Sequence, residues 1–367
     1  MAKAAGRFQR WVLPGLAFKA VVIGGGYATG RELAAYFLPS GPWGGLAAML
    51  LSVVIWSVVC AVTFLFAHQT ASLDYRSFFQ RLLGRFWPLF EIAYIAAIMV
   101  ILSAFAAAAG AIASAVFGLP AIAGALALVA AIAVVAAWGN DSVERVFKWV
   151  SFLLYGVYAV FLVLCLIKFG GRIGTAFATP EPMTGWALGG ATYAGYNIIG
   201  AVVILPVTRH LTSRKDAIVA GLLAGPLAMI PAALFFIAMA AFYPAVGGQL
   251  LPSDFLLGQL GQPLFRLFFQ AMIFAALLES GAGSVHAINE RIAHAYHART
   301  QRAFSLRLRL AVTLAVLAGS VLVADRVGLV SLIADGYRWL AYVMLAIYVA
   351  PLMTVGLWRV TRAPASA

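Results

Sequence analysis

Ten long apolar runs, separated by short polar joints, set what this chain can become: 12–38, 43–67, 86–117, 120–138, 146–168, 186–207, 217–243, 263–290, 308–324 and 337–358. A helix needs about 20 apolar residues to cross a hydrocarbon core of roughly 30 Å, and the runs are of that order. Charged residues make up only 10% of the chain and hydrophobic ones 64%, whereas a water-facing surface needs about 25% charge. The expected fold class is therefore an all-α integral membrane protein of ten transmembrane helices, forming one domain over 1–367. A soluble enzyme, a nucleic-acid binder and a disordered chain are excluded together. Met1–Arg10 is basic, like the start of a signal peptide. The apolar run behind it continues to Leu38 without a clear small-residue cleavage site, so a first span is expected instead. Cys60 and Cys165 lie in separate runs and offer neither a disulfide framework nor metal-ligand spacing.

Lysine and arginine favour the cytoplasmic side of short loops. Of the 25 here, eighteen fall on alternate joints beginning with the N-terminus, five on the opposite set, and Lys19 and Arg31 lie within the first span. That asymmetry expects both termini in the cytoplasm, and it accounts for the net charge of +13 without a nucleic-acid partner.

The two halves, about 12–168 and 186–358, show ordered matches. Gly24-Gly-Gly-Tyr-Ala-Thr-Gly-Arg-Glu32 pairs with Gly189-Gly-Ala-Thr-Tyr-Ala-Gly-Tyr-Asn197 at an offset of 165. Ser77-Phe78 and Leu83-Gly84 pair with Asp254-Phe255 and Leu260-Gly261 at 177, and Asp141 with Asp325 at 184. Because five spans is an odd number, the second copy must enter the membrane from the opposite face. Such inverted repeats characterise secondary transporters, whose solute site lies near the midplane between the copies.

Both glycine-bearing segments are expected to interrupt their helices. Glycine costs a helix roughly 1 kcal/mol relative to alanine, and unwound backbone is tolerated in a bilayer where it is buried in protein or lines a cavity. Freed carbonyls would hold a cation and freed N–H groups an anionic group. Close helix packing also uses small residues, but paired clusters favour a site. Arg31 and Glu32 follow the first cluster, and intramembrane charges often mark a pathway. Glu279 lies deep in the eighth span beside Ser280, Gly281, Gly283 and Ser284. Apolar surroundings favour the protonated form of a carboxylate, which suits proton coupling; serine hydroxyls and carbonyls would instead suit Na⁺. Lys19 is a candidate partner for Glu279. His286, Glu290 and His294 recur at four-residue spacing, but among Arg291, His297 and Arg299 they read as a solvated face and not a metal site. No nucleophile–base pair, phosphate loop or zinc motif is present, so no enzyme is expected.

With both broken spans and the five-plus-five repeat, the chain resembles LeuT-fold transporters of the amino acid–polyamine–organocation superfamily. Gly24–Glu32 and Glu279-Ser-Gly-Ala-Gly-Ser-Val-His-Ala-Ile-Asn-Glu-Arg291 resemble more closely the YkvI-like family of bacterial membrane proteins, which implies the bacterial cytoplasmic membrane. The resemblance implies a solute site at Gly24, Gly25, Gly26, Tyr27, Ser103, Thr192, Tyr193, Tyr196 and Asn197. It also implies a cation site involving Ser280 and Ser284, and an outer gate pairing Arg31 with Asp335. Glu279, at the position of the helix 8 cation site, departs from a simple sodium site.

The reading that follows is symport of an amino acid or similar small organic solute, coupled to H⁺ in preference to Na⁺ through Glu279 and Glu32, with no cofactor. A channel and a non-transporting solute sensor are the alternatives. The oligomeric state is left open.

Overall fold

The computed structural model describes residues 6–23, 25–138 and 140–362, without the side chains of 136–155, 294, 295 and 298. Gly24 and the side chains of Asp141, Arg145, Lys148 and His294 thus lie outside the described residues. Among the described residues 88% are helical and none is in a strand. After a wide turn at Phe8–Val12, the first run is divided into α1 (Leu13–Val22), α2 (Gly25–Ala28) and α3 (Arg31–Tyr36). There follow α4 (Gly41–Thr70), a short α5 (Tyr75–Leu83), α6 (Trp87–Phe117), α7 (Ala121–Trp138) and α8 (Asn140–Ala178). The sixth run is divided into α9 (Trp186–Asn197), α10 (Gly200–Val203) and a tight turn at Leu205–His210. Then come α11 (Arg214–Ala240), a short α12 (Pro252–Leu260), α13 (Pro263–Thr300) and α14 (Leu306–Val327). The last span comprises α15 (Leu329–Ser331), α16 (Tyr337–Met344) and α17 (Leu357–Arg362), joined by wide helical turns into one run over Leu329–Arg362.

Among the described residues, seven helical runs are long and apolar enough to cross a membrane, the last of them Leu329–Arg362. That run begins before Asp335-Gly336, at Leu329, earlier than the 337 at which the apolar pattern placed it. Asp335-Gly336 does not stop it, because the wide turn Leu332–Gly336 absorbs both residues within the helix.

Local chemistry fixes many of the ends. Pro42, Pro88, Pro252 and Pro263 stand in the first turn of their helices, where the missing N–H costs nothing. Asp74 and Ser213 cap α5 and α11 by accepting the amides of Ser77 and Asp216 at 2.9 and 3.1 Å. α11 remains helical through Pro226 and Pro231. The Leu222 carbonyl, four residues before Pro226 and thus deprived of its donor, accepts instead from Ser57 of α4 at 2.9 Å.

Packing is ordered around α4 and α11, which lie against each other. α9 packs on α4 and α1 on α11; α14 and α13 both cover α6 and α7. Buried hydroxyls and an indole N–H stitch α4 to α9, Ser52 to the Gly190 carbonyl at 2.8 Å and Trp56 to the Ala194 carbonyl at 3.1 Å. The short helices α5 and α12 are both nine residues long and end on glycines with positive φ, Gly84 and Gly261. They superpose in sequence at an offset of 177, residue for residue.

Candidate functional site

The first span breaks where its glycines allow it, at two points. α1 stops at Val22, and Ile23 leaves the helical region with ψ 70°. After the single turn of α2, Gly30 takes φ +78°, a conformation that a side chain disfavours, and α3 restarts at Arg31. Gly25 and Gly26 are helical within α2, so the decisive glycine is Gly30, a member of the motif that the sequence did not single out. α2 rests against both α6 and α13.

The sixth span breaks later than the repeat predicts. α9 is continuous from Trp186 through Asn197, and the interruption falls at Ile198–Ile199. Gly189 and Gly190 therefore serve packing and not unwinding: a Cβ would overlap the carbonyl oxygens of Tyr36 and Ala48 respectively. Gly195 likewise faces Ala341 of α16, with 3.0 Å left for a Cβ. Thr192, Tyr193 and Tyr196 are buried on an intact helix, and Asn197 donates back to the Tyr193 carbonyl at 3.1 Å.

Between these breaks lies Glu32, only 5% exposed. Its Oε2 accepts from the Tyr196 hydroxyl at 2.5 Å. Tyr27, Tyr36, Tyr193, Tyr196 and Tyr337 all stand within electrostatic reach of its carboxylate. The rings pack on one another, Tyr196 with Tyr337 at 4.6 Å, Tyr193 with Tyr196 at 5.6 Å and Tyr36 with Tyr196 at 5.8 Å between centroids. Tyr36 donates to the Ile333 carbonyl, tying α3 to the tenth span. Tyr27 faces Tyr158 at 5.9 Å. The hydroxyls of Tyr27 and Tyr158 lie within reach of each other, and that of Tyr193 is buried without a hydrogen-bond partner. Tyr36, Tyr158 and Tyr337 were missed in the sequence; their signal was a phenol inside an apolar run.

Among the other expected residues, two serines use their polar atoms locally. Ser103 donates to the Met99 carbonyl and Ser284 to that of Ser280, each on its own helix at 2.8 Å, the ordinary fate of a mid-helix hydroxyl. Glu279 and Ser280 are half-buried on α13, and Lys19 is half-buried on α1. The expected Arg31–Asp335 pair is not formed. Arg31 donates to the carbonyls of Gly247 and Gln249 at 2.9 and 2.7 Å, while Asp335 is exposed and meets Arg338 at 3.4 Å. The loop between α11 and α12 brings two carbonyls to the guanidinium, and Asp335 lies on the outer side of its own turn.

Around the breaks the two ends of the molecule differ. On the side opposite the N-terminus the Ser253 amide donates to the Thr29 carbonyl at 3.0 Å, seating α12 on the broken span. α12 is held in turn by Asp254, which accepts from Arg266 at 2.6 Å and from Gln270 at 2.8 Å, and by Lys168 on the Leu260 carbonyl at 2.8 Å. Its cavity of about 500 Å³ is lined by Ser114, Gln249, Asp254 and Arg266, among others, with no residue of the first span. On the N-terminal side a larger cavity of about 680 Å³ reaches Val202, Val203 and Pro206 of the sixth span. Its opposite wall carries Tyr75, Glu91, Tyr94, His286 and Arg291. There Arg291 lies 3.9 Å and 3.7 Å from the ring centres of Tyr75 and Tyr94, which are 6° from parallel, and pairs with Glu91 at 3.0 Å. No group of three or more metal-ligating side chains occurs among the described residues.

No family model and no curated protein matches the sequence. Solved structures do match in fold. The chain is similar to a substrate-bound, outward-open Na⁺-coupled sialic acid symporter at TM-score 0.61 and 15% identity, over 94% of this chain and 78% of that one. It is similar to the manganese transporter of Eremococcus coleocola at TM-score 0.57 and 16% identity, over 93% and 77%. It is also similar to MhsT in complex with L-phenylalanine at TM-score 0.55 and 18% identity, over 98% of both chains. All are LeuT-fold transporters, not enzymes, and at these identities the likeness is one of fold.

Proposed function

We propose that this protein is a secondary active transporter, carrying an amino acid or similar small organic solute in symport with a cation, H⁺ in preference to Na⁺. The observation that carries the reading is the asymmetry around the two broken spans. One end is latched by Arg31 and Ser253, leaving a cavity of about 350 Å³ beside Ala34, Ala35 and Leu38, while the other opens into a larger cavity of about 680 Å³ lined by the inner half of the sixth span. That is an arrangement expected of one state in an alternating-access cycle. With lysine and arginine concentrated on the N-terminal side, that side is read as the cytoplasm and the state as inward-facing, in a bacterial cytoplasmic membrane.

Ten spans in two inverted sets of five belong to the same proposal. Exchanging the halves maps the α4–α9 contact onto α11–α1, and α6–α14 onto α13–α7. The same exchange maps α5 onto α12. Gly24–Tyr27, Ser103, Thr192, Tyr193, Tyr196 and Asn197 are proposed to contact solute. Glu279, Ser280, Ser284 and Lys19 are proposed to serve coupling. In proteoliposomes, uptake should follow an imposed pH gradient without sodium, and Glu279→Gln should abolish coupled uptake while leaving the protein folded. An absolute sodium requirement would replace H⁺ by Na⁺. Steady single-channel conductance would make the protein a channel, and binding without flux a sensor.

A further inference from the structure

Glu32 is a carboxylate in the interior that meets no counter-charge among the described residues. It makes no ion pair among the described residues, and its one hydrogen bond is from a neutral phenol. The cation next to it in sequence, Arg31, is turned away onto the Gly247 and Gln249 carbonyls. A buried charge left in this way is costly, and a ligand that brings the opposite charge would repay it. What surrounds Glu32 narrows the ligand. Four tyrosines from α3, α9 and α16, namely Tyr36, Tyr193, Tyr196 and Tyr337, pack on one another beside it, and aromatic faces attract organic cations. One of them, Tyr193, holds a buried hydroxyl without a partner, free to bond an N–H. The cluster lies immediately past the break at Gly30 and before the break at Ile198, where the proposed solute site falls.

We propose that the tyrosine box around Glu32 is the subsite for the charged nitrogen of the solute, an ammonium or quaternary ammonium group. Transported solutes are therefore amines, and carboxylates lacking an amine are refused. This inference rests on the transporter reading and assigns Glu32 to solute recognition instead of coupling. A solute whose only charge is a carboxylate would meet Glu32 and negative ring faces, with Arg31 held on backbone carbonyls. A bare alkali ion would lack the several oxygen ligands that a hard cation prefers.

The test uses the full chain in lipid nanodiscs with phenethylamine, choline, 3-phenylpropionate and NaCl as separate probes, each titrated by calorimetry. Phenethylamine or choline should bind. 3-Phenylpropionate should bind at least about tenfold more weakly, and Glu32→Gln should weaken amine binding by about ten- to a hundredfold. Glu32→Asp should keep measurable affinity. Equal binding of the amine and the carboxylate, full amine affinity in Glu32→Gln, binding of Na⁺ that displaces no amine and is lost in Glu32→Gln, or failure of both amines to bind at millimolar concentration would each overturn the subsite. If Glu32→Gln does not fold, the selectivity of the unmodified chain among the four probes decides. Flux is read separately with the same solutes in proteoliposomes. Amine binding without flux overturns the transporter reading and leaves the subsite standing, whereas uptake of 3-phenylpropionate undiminished by Glu32→Gln does the reverse.

Discussion

Arg31 Nη1 donates to the Gly247 carbonyl oxygen at 2.9 Å, joining the first span directly to the loop that leads into α12. With the second bond to Gln249, it is the charged component of the proposed outer seal. Hydrogen bonds to a charged group contribute about 1.5–3 kcal/mol each, so deleting both should move the equilibrium toward an outward-open state by at least about tenfold. Arg31→Ala should therefore raise the rate at which a membrane-impermeant thiol reagent modifies a cysteine placed at Ala35, which lines the neighbouring cavity. The native Cys60 and Cys165 are buried and should contribute little background. Unchanged labelling would remove Arg31 from the seal.

On the opposite face, Arg291 joins three elements: Tyr75 from α5, Glu91 and Tyr94 from α6, and its own α13. A guanidinium between nearly parallel rings is held by its planarity as well as its charge. Arg291→Gln should destabilise the protein by about 1–3 kcal/mol, read as a lower melting temperature in detergent. Arg291→Lys should recover only part of the loss. Full recovery by lysine would show that charge alone matters and that the stacking contributes nothing.

Much of the all-helical fold was legible because a bilayer demands long apolar helices, and seven runs among the described residues are long and apolar enough to cross one. The α5–α12 match at an offset of 177 was visible in a few residues and extends over both helices. The site was legible in part. Composition can locate a run of glycines but cannot distinguish unwinding from close approach, which depends on what faces each Cα. Gly30 has a positive φ, while Gly189 and Gly190 lie in an intact helix against neighbouring carbonyls. The tyrosine box was harder still, since Tyr36 and Tyr337 are 301 residues apart in sequence and converge only when the third helix meets the tenth span. Arg31 found backbone oxygens where a carboxylate was expected, and backbone acceptors leave no trace in residue identity.

Asp74, at the start of α5, gives a pH-dependent expectation outside the spans. Partial burial pushes its carboxyl up, but bonds from the Ser77 hydroxyl at 2.6 Å and amide at 2.9 Å, with Arg76 nearby, bring it below the usual carboxylate value. A carboxyl held low in the folded state adds stability above its unfolded pKa of about 3.9 and loses it as pH falls through the lower folded value. Asp74→Ala should cost about 1 kcal/mol at neutral pH. The gap in melting temperature between the two proteins should narrow by about pH 3. A gap independent of pH would mean that the cap acts without its charge.

The glycines allow packing and backbone conformation to be separated by experiment. Alanine at Gly189 or Gly190 would drive a methyl group into a backbone carbonyl that has no rotamer to change; each should cost about 1–3 kcal/mol, as overpacking does. Alanine at Gly30 meets two obstacles, the left-handed φ of +78° and the Phe235 ring 2.9 Å from the new Cβ. The first alone costs roughly 1–2 kcal/mol, and the strain falls at the joint between α2 and α3. Gly30→Ala should thus lower both stability and solute binding, whereas Gly189→Ala should lower stability chiefly. Gly283, exposed on α13 with nothing near its Cβ position, provides the control: Gly283→Ala should be neutral or stabilising by up to about 1 kcal/mol. Thermal melts of the four variants, set beside their binding isotherms, decide the matter. Equal stability of Gly189→Ala and Gly283→Ala would mean that α9 stands farther from α3 and α4 than described here.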